Sequence, residues 1–165
     1  MDIQESKLVL FTADLAGYAR ACAHLGALDI AHFLDGWYRQ CADVIRARGG
    51  RLVKFIGDAV LAVFPDDRAL DAIDAATELA AALRASRGTW RIELGANIHL
   101  AIVAEGDYGP PDDARYDVLG SGVNHLFLMG GGAGIRISEP VFRQLPNERR
   151  DAWAKNRPPA TYSLT

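Results

Sequence analysis

The stretch from Leu28 to Phe64 constrains this chain more than any other. Between Leu28 and Arg48 the apolar residues Ile30, Phe33, Leu34, Trp37, Cys41, Val44 and Ile45 recur at three- and four-residue steps, which is one face of an amphipathic helix. Gly49-Gly50 stops that helix, as glycine does just past a helix end. Two β-prone runs follow at once, Arg51 to Ile56 and Ala59 to Phe64, split only by Gly57-Asp58. That pattern predicts a tight hairpin with Asp58 at its tip.

The remaining elements are arranged around this unit. Lys7 to Ala13 is an apolar run that ends at Asp14 and predicts a buried strand, with a break at Gly17. After the turn at Pro65-Asp66-Asp67, a second helix carries Leu70, Ile73, Ala76, Leu79, Ala80 and Leu83 on one face. Trp90 to Val103 predicts a long strand and Ala104 to Ala114, rich in Gly, Pro and Asp, a polar loop. Tyr116 to Leu119 predicts a short strand, Gly122 to Met129 a short helix ended by three glycines, and Ile135 to Ser138 and Thr161 to Leu164 two more strands. The order β-α-β-β-α-β plus short additions predicts an α+β fold of ferredoxin-like layout, its helices packed on one face of an antiparallel sheet. No linker, repeat or low-complexity stretch interrupts it, so residues 1–165 are expected to form a single domain.

Composition narrows the function classes. Half of the 165 residues are hydrophobic and 24% are charged, and the net charge of -3 contains no basic block. That argues against nucleic acid or an anionic membrane as a partner. Cys22 and Cys41 lie among apolar neighbours in helical patterns and are expected to be buried, reduced thiols. No apolar run approaches the roughly 20 residues that cross a bilayer, and the first residues lack the pattern of a signal peptide. A cytoplasmic location is expected. His24, His32 and His99 show no metal-ligand spacing, and His125 is expected to be a partly exposed helix histidine.

In a β-α-β-β unit the first strand and the hairpin become sheet neighbours, so Asp14 and Asp58 can project from one edge. Two adjacent carboxylates repel unless a cation lies between them, and hard divalent ions prefer such oxygen ligands. An Asp beside Gly is also ordinary turn chemistry, and spacing alone leaves both readings open.

The local strings go further. Ala13 to Arg20 (ADLAGYAR), Gly49 to Phe64 (GGRLVKFIGDAVLAVF), Arg115 to Gly120 (RYDVLG) with Val123-Asn124, and Ile135 to Val141 (IRISEPV) together resemble, in order, the motifs of class III nucleotidyl cyclase catalytic domains. The resemblance implies two divalent ions per site, Mg²⁺ or Mn²⁺, held by Asp14, Asp58 and the backbone of Leu15. It implies that Gly17, Tyr18 and Ala19 approach the triphosphate, that Lys54 and Asp117 select the base, that Asn124 orients the ribose and that Lys155 contacts the triphosphate. Lys54 can only donate and an ionised Asp117 only accept, a pattern that matches adenine and mismatches guanine.

One position departs from the family. An arginine that stabilises charge on the α-phosphate stands there four residues after the asparagine, and here that place is Leu128. Losing one such donor typically costs on the order of 10² to 10³ in rate. The expectation is therefore a weak adenylate cyclase that makes cyclic AMP and pyrophosphate from ATP at a dimer interface, most simply a homodimer. The alternatives are a nucleotide-binding pseudo-cyclase without activity and one half of a heterodimer whose partner supplies the arginine. Phe33, Trp37 and Tyr38 are expected in the core or at the dimer surface.

Overall fold

A computed structural model of the chain describes residues 1–86, 88, 91–156 and 160–165. Strand β1 spans Gln4–Ala16 and runs into the short helix α1, Tyr18–Cys22. Helix α2 is Ala27–Ala47, followed by the hairpin β2 Arg51–Ile56 and β3 Ala59–Pro65, and by helix α3, Ala69–Ser86. The second half comprises β4 Glu93–Tyr108, β5 Arg115–Leu119, α4 Ser121–Leu128, β6 Gly134–Ser138, α5 Glu139–Gln144, α6 Asn147–Arg150, β7 Trp153–Asn156 and β8 Thr161–Leu164.

The strands form one sheet in the order β2-β3-β1-β4-β6-β8-β7, with β5 paired to β4. Its first four strands are the ferredoxin-like core, each antiparallel to its neighbour. The α+β layout read from the sequence is borne out. The sheet is not wholly antiparallel, however, because β6 lies parallel to β4. The chain between those two strands crosses over through β5 and α4, and a crossover returns a strand in the same direction.

The expectation of helices on one face alone is also corrected. Alternation along β1 sends Val9, Phe11, Ala13 and Leu15 to one side, where they bury against Trp37, Cys41 and Ile45 of α2, the apolar face of α3, and Val141 of α5. Leu10 points to the other side, into a smaller core with Leu61, Val63, Val103 and Val118, closed by Leu126 and Met129 at α4. The cysteines are buried and unpaired, as expected.

The strand beginning at Trp90 falls partly outside the described residues; the observed strand begins at Glu93. The polar loop predicted from Ala104 to Ala114 begins five residues late: 104–108 are strand, and 109–114 are the loop. Residues 104–108 pair with β5 on one side, and Ala104 and Glu105 also pair with the start of β1, so tertiary pairing overrides a loop-like composition. Elements α1, α5, α6 and β7 have six residues or fewer and leave no readable period. Among the described residues no helix is long and apolar enough to cross a membrane.

Candidate active site

Asp14 and Asp58 meet at one end of the sheet. Strands β1 and β3 pair from Leu8↔Pro65 to Ala13↔Val60, which brings the hairpin tip alongside the end of β1. The Leu15 N–H donates to Asp58 Oδ2 at 3.0 Å, tying the two segments together. Helix α2 holds the tip from behind: Trp37 Nε1 donates to the Asp58 carbonyl at 2.9 Å, and the Tyr38 hydroxyl donates to the Gly57 carbonyl. The Tyr38 ring stacks on Phe55 with centroids 3.9 Å apart. Trp37 and Tyr38, expected as core or dimer surface, are therefore also supports of the hairpin. The i, i+1 aromatic pair was visible in sequence, but nothing local showed that it reaches residues 57 and 58.

Asp14 has an unusual environment. Its Oδ1 is buried without a hydrogen-bond partner. Burial first, and then the neighbouring Asp58 charge, push its carboxyl above the usual aspartate range, while Arg136 opposes them. The opposite residue on β4 is Gly95, where an added Cβ would lie 2.4 Å from Asp14 Oδ1 and 2.6 Å from the Gly132 carbonyl. A glycine there makes room for the carboxylate. A buried acid with an orphaned oxygen, repelled by a second acid, is what a divalent cation would satisfy, so the residues present fit a metal. Among the described residues no three His, Cys, Asp or Glu side chains cluster as a complete cage; the remaining ligands would have to come from backbone, water or a bound phosphate.

Gly17 opens α1 with φ +89°, and a Cβ there would sit 2.6 Å from the Arg91 carbonyl, so the turn after Asp14 depends on glycine. Tyr18 stacks on Phe33 at 6.4 Å. Burial, followed by the interaction with Cys22, pushes its phenol from 10.0 up to about 12. Ala19 is exposed on the same turn.

Lys54 and Asp117, 63 residues apart, are joined: Lys54 Nζ donates to Asp117 Oδ2 at 2.5 Å, and Asp117 Oδ1 accepts the Val118 N–H at 2.8 Å. Asn124 and His125 are exposed on α4, and His125 lies against His99 of β4 with ring centroids 4.6 Å apart. Leu128 projects from the same helix and is 76% exposed. Arg136, the nearest arginine on the following strand, does not take its place. Its guanidinium donates to the carbonyls of Gly131, Gly132, Ala133 and Gly134, which fastens the loop after α4. Lys155 stands apart on β7, at the opposite edge of the sheet from β2, with Nζ 5.6 Å from the centre of the Tyr162 ring.

This is the fold of a class III nucleotidyl cyclase catalytic domain, and the resemblance carried by the motifs is borne out. The adenylyl cyclase CyaB from P. aeruginosa superposes with a TM-score of 0.86 over all of this chain and 96% of that one, at 20% identity. A guanylyl cyclase crystal structure superposes with a TM-score of 0.85 over 99% of this chain and 94% of its own, at 23% identity. In sequence, an adenylate cyclase of Anabaena cylindrica is 28% identical over 154 residues, covering 84% of this chain and 31% of that protein. The chain spans less than a third of the length of the curated relatives it matches. No family model matches it.

Proposed function

We propose that residues 1–165 are one catalytic domain of a class III adenylate cyclase that converts ATP to 3′,5′-cyclic AMP and pyrophosphate as a dimer, slowly, in the cytoplasm. The observation that carries this reading is the buried, unpartnered Asp14 Oδ1 beside Asp58. The carboxylates of Asp14 and Asp58, with the Leu15 backbone, would hold Mg²⁺ or Mn²⁺. Two such ions supply neutralisation of the triphosphate and activation of the ribose 3′-hydroxyl. The protein's own part is positioning.

The α1 turn at Gly17, Tyr18 and Ala19 would offer backbone groups to the phosphates. Lys54 and Asp117 present a donor beside an acceptor, complementary to N1 and N6 of adenine. Asn124 orients the ribose from α4. The position of Lys155 beside Tyr162 gives the least support to its assignment to the triphosphate. Leu128 can neither donate nor carry charge, and this is the reason for a slow reaction. The large exposed side chains Phe127 on α4, Ile102 on β4 and Leu119 on β5 favour an apolar contact with a second cyclase domain, in the first instance another copy of this chain.

A pseudo-cyclase that binds ATP and metal without turnover is the second reading, favoured by Leu128 and by the remote position of Lys155 on β7. A product assay with each ribonucleoside triphosphate and Mn²⁺, read by mass spectrometry, separates the two. Cyclic AMP that disappears in Asp58→Ala supports the enzyme. ATP-dependent thermal stabilisation with no cyclic product supports the pseudo-cyclase.

A further inference from the structure

Lys54 and Asp117 sit on strands that are not sheet neighbours. Among the described residues β2 is an edge strand and β5 pairs only with β4, so no backbone ladder there sets the distance between them. Two features bring them together. The first is a bulge in β2. Leu52 pairs with Ala62 but Lys54 pairs with Leu61, leaving Val53 as the extra residue. Strict alternation would place Arg51 and Lys54 on opposite faces. The inserted residue resets the alternation. Arg51 therefore stands opposite Val63 and Lys54 opposite Leu61, and both of those β3 residues belong to the core on the α4 side.

The second is a chain of side chains bridging the same gap beside the ion pair. The Arg51 guanidinium lies over the Tyr116 ring, 3.3 Å from its centre. The Tyr116 hydroxyl donates to Glu105 Oε2 at 2.7 Å, and Glu105 also accepts from Gln4 at 3.5 Å. Glu105 lies on β4, diagonal to Tyr116 across the β4–β5 ladder. Only the Arg51–Tyr116 stack crosses from β2 to β5; the charge-assisted hydrogen bond to Glu105 fixes the Tyr116 ring from β4, and since both contacts are directional the stack sets the β2–β5 separation.

We propose that Arg51, Tyr116 and Glu105 form a strut that fixes the spacing of Lys54 and Asp117 and so determines the choice of purine base. These three are positioning residues, because none of them is the group that reads the base. The inference rests on the reading of Lys54 and Asp117 as the base-selecting pair. A site built to pair donor with acceptor rejects a mismatched partner strongly only while its polar groups are held in place. Loosening the strut lets Lys54 and Asp117 adapt to guanine.

The test is competitive binding of ATP and GTP, with Mn²⁺, to the wild type and to Tyr116→Phe, Arg51→Gln and Lys54→Ala, with Arg115→Gln as a neighbouring control. Among the described residues Arg115 pairs only locally, with Asp113. The expected result is that the wild type prefers ATP and Lys54→Ala abolishes the preference. Tyr116→Phe should shrink it about tenfold, the worth of roughly one charge-assisted hydrogen bond, and Arg51→Gln about two- to fivefold, the worth of a stacked guanidinium, each by weakening ATP while GTP holds or improves. Arg115→Gln should change nothing. A merely structural role for the strut would weaken both nucleotides alike, and that result overturns the proposal. So does an intact preference in Tyr116→Phe and Arg51→Gln while Lys54→Ala loses it. If the wild type shows no preference, or Lys54→Ala keeps it, the base-selecting reading itself falls and the strut's role falls with it. Tyr116→Phe removes a single hydroxyl, so it decides the matter even if Arg51→Gln folds poorly.

Discussion

Trp37 Nε1 donates to the backbone carbonyl of Asp58 at 2.9 Å, so the helix behind the sheet holds one of the two proposed metal ligands by its main chain. The indole body of Trp37 is buried in the larger core, and its single polar atom is spent on the hairpin tip.

Trp37→Phe retains most of the buried ring and removes that one hydrogen bond. Its expected cost is about 1 kcal/mol of stability, seen as a fall of about 2–4 °C in the unfolding midpoint of a chain this size. The Mn²⁺ concentration for half-maximal stabilisation by ATP should rise at the same time. A variant that loses stability but keeps the wild-type Mn²⁺ dependence would show that Trp37 supports only the core.

Asp14 gives a metal-free prediction with a definite sign. Its carboxyl titrates above the ordinary 3.8 in the folded protein, because burial and Asp58 disfavour its charge. The folded state therefore holds a proton that the unfolded state has already released. Without metal, Asp14 costs stability once pH rises above that window and costs nothing below it. In chelator at neutral pH, Asp14→Asn should be more stable than the wild type, and the difference should vanish as pH falls toward 3.8. Adding Mn²⁺ with ATP should stabilise the wild type and leave Asp14→Asn nearly unmoved. Equal responses in denaturation curves would remove Asp14 from the metal site.

His99 shifts in the other direction. Burial, and then the adjacent His125, lower it from 6.5 to about 4, and its Nδ1 is buried without a partner. Between those values the unfolded chain takes up a proton that the folded chain refuses, so stability is full above pH 6.5 and declines as pH falls toward about 4. His99→Gln should flatten that part of the stability profile in chemical denaturation. An unchanged slope would mean that other groups govern the acid limb.

Leu128 is 76% exposed, so its replacement should affect chemistry far more than folding. Leu128→Arg is expected to raise the rate of cyclic AMP formation by about 10²–10³ with an unfolding midpoint close to the wild type. Absence of cyclic nucleotide even in this variant would leave a binding role or a heterodimer as the better account.

The two kinds of information divide cleanly along the chain. Periodicity and turn chemistry act over a few residues, and through them the sequence by itself determined α2 with its glycine stop, the hairpin with Asp58 at its tip, the break at Gly17 and the α+β order of elements. The motif strings carried the family resemblance and singled out Asp14, Asp58, Lys54, Asp117 and Leu128. Only the tertiary structure decided what those residues touch. Whether residues 104–108 form loop or strand depended on β5 and the start of β1 offering ladder partners. Whether Arg51 and Lys54 share a face depended on a bulge whose position is set by pairing with β3. The orphaned oxygen of Asp14 arises from strands β1, β3 and β4 closing around it, and the carbonyls that occupy Arg136 come from the loop folded against β6. Backbone preferences are written residue by residue, whereas contacts such as Leu15–Asp58 and Lys54–Asp117, 43 and 63 residues apart, exist only once several elements have packed, because each is made by groups that no local window contains together.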